Sequence, residues 1–293
     1  MIKKLYMNGK KRAVTLSFDD GCGEDLKMLE IFSKYGLKST LNVMSKCCNT
    51  PRFAVEAGDK RIWRGDEEMK KVYAGCEIAS HSCYHKGSDR LNDEEYAAEV
   101  MDSLPVLREA FGQDVIGYVS PFGIYDERLF PMLEKCGVLY HRIVFYQAEN
   151  PYDKKTAFSL PKNFLEWKPG PHFAYFNRPE GDTYLKDFFE TEEELPCLYI
   201  WGHSFELVQL DCYRKERWLG LTERWEFLEE LCRKISGRED TWYATNGEIC
   251  LYALAQRKAI VSENEIFNPS NLSVWFEING KPTEIKPHSK VEF

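Results

Sequence analysis

The chain has 293 residues, of which 43% are hydrophobic and 29% are charged, so it can bury a full core and has the composition of an ordinary globular protein. Its net charge is −8, and its Lys and Arg residues are interspersed with Asp and Glu. This distribution argues against a nucleic acid or an anionic membrane surface as the partner.

The predicted elements alternate between strands and helices through most of the chain. Strands are expected near 13–18, 38–44, 76–80, 115–119, 138–145 and 197–201. Helices are expected near 24–35, 66–74, 92–110, 126–136, 221–235 and 245–257, with Asn92 as a cap and Pro105 as a kink. This alternation predicts parallel βα units with right-handed crossovers, and therefore an α/β fold.

Two stretches depart from that alternation. Residues 147–196 are rich in Pro, aromatic and acidic residues and are predicted to be irregular. Candidates in this stretch to line a substrate site are Trp167, Pro171, His172, Phe173 and Tyr175. Residues 259–293 alternate Val274, Phe276 and Ile278 and then turn, which predicts a hairpin that packs on a main domain of residues 1–258.

The N-terminus and the cysteines bear on where the protein acts. The basic start of the chain is followed by no apolar segment of a signal peptide and by no membrane span. The ten cysteines are scattered, with no Cys-x-x-Cys zinc pattern. We therefore expect a cytoplasmic protein without a membrane segment.

Two motifs supply the residues of a candidate metal site. Residues 17–21 (SFDDG) end the first predicted strand with adjacent carboxylates, which raise each other's pKa unless a cation lies nearby. Residues 81–85 (HSCYH) place two imidazoles four positions apart, and a helical backbone would bring both rings to one face. A carboxylate and two imidazoles with open positions suit a catalytic divalent ion. Taken singly, the first motif also fits a simple turn, and the second fits two unrelated histidines.

These motifs resemble those of the polysaccharide deacetylases, the NodB-homology carbohydrate esterases. Residues 17–21 and 80–85 are similar to the first two motifs of the family, residues 118–123 (YVSPFG) to the third, and residues 201–204 (WGHS) to the last. They follow the family's order across about residues 10–257. The resemblance implies a distorted (β/α) barrel of the NodB-homology type, here with a short C-terminal β-rich extension over residues 259–293.

The resemblance also implies a role for each matched residue. Asp20, His81 and His85 would hold one divalent metal ion, zinc first, with cobalt or nickel also suited to these ligands. Asp19 would be the general base that takes a proton from water, and His203 would be the general acid.

Other positions would serve the oxyanion or the substrate. The backbone N–H of Phe122 would stabilise the oxyanion. The Asp and Trp of the family's fourth motif, which tune its acid histidine, have no clear match here, and Trp201 is the nearest candidate by residue type. The third motif has Val119 where the family usually has an arginine bonded to the catalytic aspartate. Arg142, on a neighbouring predicted strand, is a candidate to reach the Asp19 carboxylate instead.

Four further residues have open assignments. Glu206 and Asp211 are both candidates to orient or charge-pair His203, and the sequence does not choose between them. His172 either contacts substrate or packs in its loop. Cys83 is either a soft ligand or, as we expect, faces away from the metal.

The expected reaction is metal-dependent removal of an N-acetyl group from an amino sugar, an oligosaccharide or a polysaccharide. An alternative is hydrolysis of a linear or cyclic amide that is not a sugar, and a third is a non-catalytic protein that binds carbohydrate. The sequence leaves the oligomeric state open.

Overall fold

The computed structural model describes residues 2–46, 70–144, 157–208 and 215–293. The strands in these ranges are β1 (Ile2–Leu5), β2 (Arg12–Asp19), β3 (Ser39–Val43), β4 (Glu77–Ser80), β5 (Gly117–Val119), β6 (Tyr140–Arg142), β7 (Cys197–Gly202), β8 (Thr241–Tyr243), β9 (Ile260–Val261), β10 (Glu265–Asn268), β11 (Val274–Ile278), β12 (Lys281–Ile285) and β13 (Ser289–Glu292). The α-helices are α1 (Asp25–Lys34), α2 (Asp93–Met101), α3 (Ser103–Phe111), α4 (Leu129–Lys135), α5 (Pro179–Glu190), α6 (Arg224–Ile235) and α7 (Asn246–Arg257).

A parallel sheet lies at the centre of the described part of the chain. Its strands follow the order β6-β5-β4-β3-β2-β7, and β8 pairs with the first residues of β2. All eight residues of β2 are buried, as expected for a strand that is covered on both faces. The sheet curls into a half-barrel with helices around it, so the predicted distorted (β/α) barrel is confirmed.

The carboxyl ends of the strands collect the motif residues at one edge of the sheet. β2 ends at Asp19, β4 ends just before His81, β5 ends at Val119 and β7 ends just before His203. Parallel βα folds place their active sites at this edge, because the loops that follow the strands converge there.

One predicted helix is two helices. The segment predicted as a single helix over 92–110 divides at Asp102 into α2 and α3, and Pro105 is the third residue of α3. A proline ring clashes with the carbonyl four residues earlier, here that of Met101, so the first helix cannot continue through it. Asn92 caps α2 as predicted, with its side chain accepting from the Glu95 N–H.

The prediction of irregular structure over 147–196 is wrong where α5 lies. Pro179 occupies the first turn of α5, where its missing N–H costs nothing, and Glu180 and Asp182 complement the helix dipole. Tyr184 and Phe188, four residues apart, are buried on one face of α5. The short strand β8 was also not predicted.

The C-terminal segment contains the predicted hairpin. β11 and β12 pair around Asn279 and Gly280, which both have the positive φ that a tight hairpin turn requires. β1 pairs antiparallel with β11, so the beginning of the chain completes a three-stranded sheet with this hairpin. The division into residues 1–258 and 259–293 stays a prediction.

Within the described ranges, no helix combines the length and the apolar character needed to cross a membrane. The seven cysteines that lie in these ranges are free thiols.

Candidate metal and acid–base site

A pocket opens at the carboxyl edge of the central sheet. Its volume is about 120 Å³, well below the roughly 300–1,000 Å³ of sites that enclose drug-sized ligands. Its described lining consists of Asp19, Asp20, His81, His85, Ser120, Phe122, Gly123, Arg142, Val144, Trp201, His203, Phe205, Glu206 and Arg217. A pocket of this size suits one small group of a larger ligand. Its lining includes all the residues predicted to bind the metal, to act as base or acid, or to serve the oxyanion: Asp19, Asp20, His81, His85, Phe122, Arg142, Trp201 and His203.

Asp20, His81 and His85 bring three potential metal ligands together. Oδ1 of Asp20 lies 3.5 Å from Nε2 of His81 and 3.6 Å from Nε2 of His85. All three side chains are buried. Among the described residues, Asp20 Oδ1 has no hydrogen-bond donor, and a buried carboxylate oxygen facing two imidazole nitrogens in this way matches a divalent ion.

The tautomer of His81 also suits a ligand. Its Nδ1 lies 2.9 Å from the carbonyl oxygen of Val119, which can only accept, so Nδ1 carries the proton. Nε2 is therefore left with the lone pair that faces Asp20. Burial lowers the pKa of His81 to about 4, so the ring is neutral near pH 7. A backbone carbonyl in this position is a common way to orient a metal-binding histidine.

The helical backbone assumed for residues 81–85 is not present. Ser82 and His85 both have positive φ, 67° and 59°, and the segment forms an irregular turn that brings the rings of His81 and His85 within 4.6 Å. Positive φ is uncommon for residues other than glycine, so this turn needs support from other parts of the chain.

Glu99 of α2 supplies that support. Its Oε1 accepts hydrogen bonds from Ser82 Oγ at 3.0 Å, from the Tyr84 N–H at 2.6 Å and from the Lys86 N–H at 3.1 Å. Glu99 is buried, so these donors are also what makes its burial tolerable. Sequence reasoning missed this residue, because it lies among other acidic residues of an amphipathic helix and no local pattern marks it.

Asp19, at the end of β2, is held by side chains of β3 and β6, and β6 lies four strands from β2 in the sheet instead of beside it as predicted. The Arg142 guanidinium donates to both carboxylate oxygens of Asp19, with Nη1 2.9 Å from Oδ1 and Nη2 2.5 Å from Oδ2. Asn42 also donates to Oδ1, at 2.7 Å. Burial favours the neutral acid, but the Arg142 charge and the nearby His81 and His203 outweigh it and hold the pKa of Asp19 well below its usual range. The contact predicted between Arg142 and Asp19 is therefore present.

His203 faces Asp19 from the end of β7. Its Nε2 lies 3.8 Å from Asp19 Oδ2, and its Nδ1 lies 2.8 Å from Glu206 Oε1. Burial opposes protonation, but the hydrogen bond to Glu206 and the aspartate charges raise the pKa of His203 above its usual value. Of the two acids predicted to orient His203, Glu206 makes the contact, and Asp211 lies outside the described residues.

The remaining predicted residues divide between the pocket and the core. Phe122 is 44% exposed at the pocket wall, with its ring edge-on to His85. Trp201 is buried beneath the pocket, with the Arg142 guanidinium 5.1 Å from its ring centre. Trp167 and Phe173, predicted to line the substrate, are buried in the core instead.

Cys83 was expected to face away from the metal. It is buried, and its Sγ lies against Ser45 Oγ and the carbonyl oxygen of Ala98. It is not among the ligand atoms that converge on Asp20.

The first three motifs lie in a segment that matches a known protein family. Residues 6–141 match the family model described as polysaccharide deacetylase, and this range includes Asp19, Asp20, His81 and His85. This segment, a little under half of the chain, is similar to the polysaccharide deacetylases.

Individual relatives of this family are distant. YxkH of Bacillus subtilis, provisionally named a polysaccharide deacetylase, is 26% identical over 129 residues, which span 43% of this chain and 43% of the relative. The crystal structure of a provisionally named polysaccharide deacetylase from Mycobacterium smegmatis aligns with a TM-score of 0.55 and 15% identity, over 87% of this chain and 94% of that one. A family 4 carbohydrate esterase from Streptomyces lividans, solved with acetate, aligns with a TM-score of 0.43 and 15% identity, over 76% and 91% of the two chains. At 15% identity, the Mycobacterium smegmatis structure shows a shared fold.

Proposed function

We propose that this protein is a metal-dependent hydrolase of the polysaccharide deacetylase family, which removes N-acetyl groups from an amino sugar, an oligosaccharide or a polysaccharide. The observation that supports the proposal is that the Asp19 carboxylate lines one pocket with the ligand cluster around Asp20 and lies 3.8 Å from Nε2 of His203. A base and an acid that face one pocket are what amide hydrolysis needs, because water must lose a proton and the amine must gain one.

Asp20, His81 and His85 would hold the divalent ion in this proposal, zinc first, with cobalt or nickel also suited to the ligands. When bound, such an ion lowers the pKa of water and polarises the acetyl carbonyl. The small pocket would receive the acetyl group, and the rest of the sugar would extend past the exposed ring of Phe122.

Asp19 would take the proton from the attacking water. Arg142 and Asn42 keep its carboxylate ionised and fixed in direction, so the base is ready at neutral pH without a change in conformation. In this arrangement Arg142 serves the base and takes the place of the arginine that the family usually has at position 119.

His203 would give its proton to the leaving amine. Its Nδ1 is tied to Glu206, so Nε2 is the atom that faces the pocket and Asp19. The Glu206 carboxylate stabilises the protonated imidazole. The backbone N–H of Phe122, on the turn after β5, would stabilise negative charge on the acetyl oxygen.

Acetate release tests the proposal directly. Purified protein is supplied with N-acetylated amino sugars, their oligomers and non-sugar amides, with and without a chelator. We expect acetate from the sugars, its loss with chelator, and its return when zinc is added back. Asp19→Asn should retain bound metal and lose acetate release. Hydrolysis of the non-sugar amides alone would favour the alternative hydrolase, and sugar binding without acetate release would favour the non-catalytic protein.

A further inference from the structure

The Glu206 carboxylate lies between two histidines. Its Oε1 is 2.8 Å from Nδ1 of His203 and 3.0 Å from Nε2 of His172. Glu206 is 3% exposed, so its carboxylate depends on donors from the protein. The oxygen that holds His203 is therefore shared with a second imidazole, from the stretch predicted to be irregular.

The direction of each hydrogen bond follows from the neighbouring donors. The Ala174 N–H donates to Nδ1 of His172 at 3.2 Å, which fixes Nδ1 as an acceptor. In the neutral ring the proton is then on Nε2 and is donated to Glu206. Burial lowers the pKa of His172 to about 4, so the ring is neutral near pH 7. Because both nitrogens of His172 are committed in this way, the cluster of His172, His203 and Glu206 is a hydrogen-bonded relay and not a second metal site.

The backbone fixes the position of His172. It forms a bridge with Trp201 of β7, so His172 and His203 leave the same edge of the sheet. Between them lies Gly202, where an added Cβ would fall 2.2 Å from the ring of Phe173 and 3.2 Å from Nε2 of His172. The absence of a side chain at Gly202 is what lets the loop carrying His172 approach Glu206.

Other residues donate hydrogen bonds to the second carboxylate oxygen and to the main chain of Glu206. The Trp218 indole lies 3.3 Å from Oε2, and Arg224 donates to the main-chain carbonyl oxygen. Arg217 approaches Oε1 at 3.8 Å, beyond hydrogen-bond distance. Among the described side chains, His172 and His203 are thus the two that donate to Oε1 of Glu206.

We propose that His172 is a positioning residue, which acts through Glu206 to hold His203 with Nδ1 toward the carboxylate and Nε2 toward Asp19. This inference rests on the proposed role of His203 as the acid. Without the His172 donor, Oε1 of Glu206 contacts one imidazole instead of two. The Glu206 carboxylate is then less firmly held, and the direction in which Nε2 of His203 points is less well defined. Groups that orient a catalytic or metal-binding side chain in this way typically affect activity by about 10- to 100-fold.

Two variants at one position separate the hydrogen bond from packing. His172→Phe keeps a ring of similar size and removes the donor. His172→Gln places an amide N–H near the original Nε2 and keeps the donor. Thermal unfolding establishes that each variant is folded, and metal content shows that the Asp20 cluster is intact. The readouts are kcat and KM for acetate release and the ¹⁵N–¹H NMR signal of the His203 Nδ1–H in protein labelled at histidine.

We expect His172→Phe to lower kcat about tenfold or more while KM stays within about twofold. The His203 Nδ1–H signal should shift and broaden in His172→Phe, whereas His172→Gln should restore both the signal and most of kcat. The proposal is overturned if folded His172→Phe keeps the wild-type signal and kcat, or if His172→Gln is as impaired as His172→Phe. The absence of deacetylase activity in the wild-type protein would count against the proposed function. The NMR spectra need no substrate, so they would still test whether His172 positions His203.

Discussion

Replacement of Arg142 by methionine probes the base most sharply. Asp19 and Arg142 are 3% and 2% exposed at their side chains, and the pair is bidentate. Removing one partner of a buried ion pair costs about 3–5 kcal/mol, because the other charge is left uncompensated. At 1.36 kcal/mol per pKa unit, that cost corresponds to a rise of about two to four units in the pKa of Asp19. That rise would bring the pKa of Asp19 from well below its usual range to around the ordinary aspartate value of about 4, so Asp19 would stay ionised at neutral pH and take up a proton only in mildly acidic solution.

We expect Arg142→Met to lower kcat at neutral pH by about 100-fold, within the range that general bases contribute, because the Asp19 carboxylate loses the two hydrogen bonds that fix its direction. The loss should grow below about pH 5, because Asp19 of the variant then gains a proton that the wild-type carboxylate, whose pKa Arg142 holds lower, does not gain. Metal content should be unchanged, since Asp20, His81 and His85 are separate from the pair. The measurements are a pH profile of acetate release and metal analysis of the same preparation.

Arg12→Met is the matched control. Arg12 is also a buried arginine paired with an aspartate, Asp240, but it begins β2, seven residues and about 23 Å from Asp19. The Arg12→Met substitution should lower the midpoint of thermal unfolding and leave kcat near the wild-type value. Turnover by Arg142→Met close to that of wild type would refute the assignment of Arg142 to the base.

Three further predictions concern the acid, the histidine turn and the metal. Glu206→Gln removes the negative charge that raises the pKa of His203, so the alkaline limb of the kcat/KM profile should move about one unit to lower pH. If the limb stays where it is, Glu206 does not set the pKa of the general acid. Glu99→Gln replaces the shared acceptor of the turn that carries His81 and His85, and zinc affinity measured by competition with a chelator should fall about 10- to 100-fold, whereas Glu95→Gln on the same helix should bind zinc normally. Asp20→Asn should purify without stoichiometric metal and stay folded, and full metal occupancy in that variant would place the ion elsewhere.

The location of the site could be predicted from sequence because it depends on local signals. Buried strands can be recognised from short apolar runs, and the residues that follow parallel strands meet at one edge of the sheet. Asp19, Asp20, His81 and His203 each come at or just after a strand end, so their convergence needs no knowledge of the loops. Arg142 also ends a strand of this sheet, but β6 is four strands from β2, so its contact with Asp19 depends on the curl of the sheet as well.

The parts that escaped prediction depend on contacts between distant segments. The turn over residues 81–85 has two non-glycine residues with positive φ, and it is held by Glu99 from a separate helix. His172 meets Glu206 across 34 residues, through a loop whose approach depends on Gly202. No periodicity or spacing in the sequence marks such pairs, because tertiary packing alone brings them together.

The central claim is one divalent ion bound by Asp20, His81 and His85. Anomalous diffraction from crystals grown with zinc, recorded on both sides of the zinc absorption edge, tests it most directly. The account predicts one strong peak between the Asp20 carboxylate and the Nε2 atoms of His81 and His85, with His203 outside the ligand set. A peak at His172, His203 and Glu206, or no peak in protein that releases acetate, would contradict it.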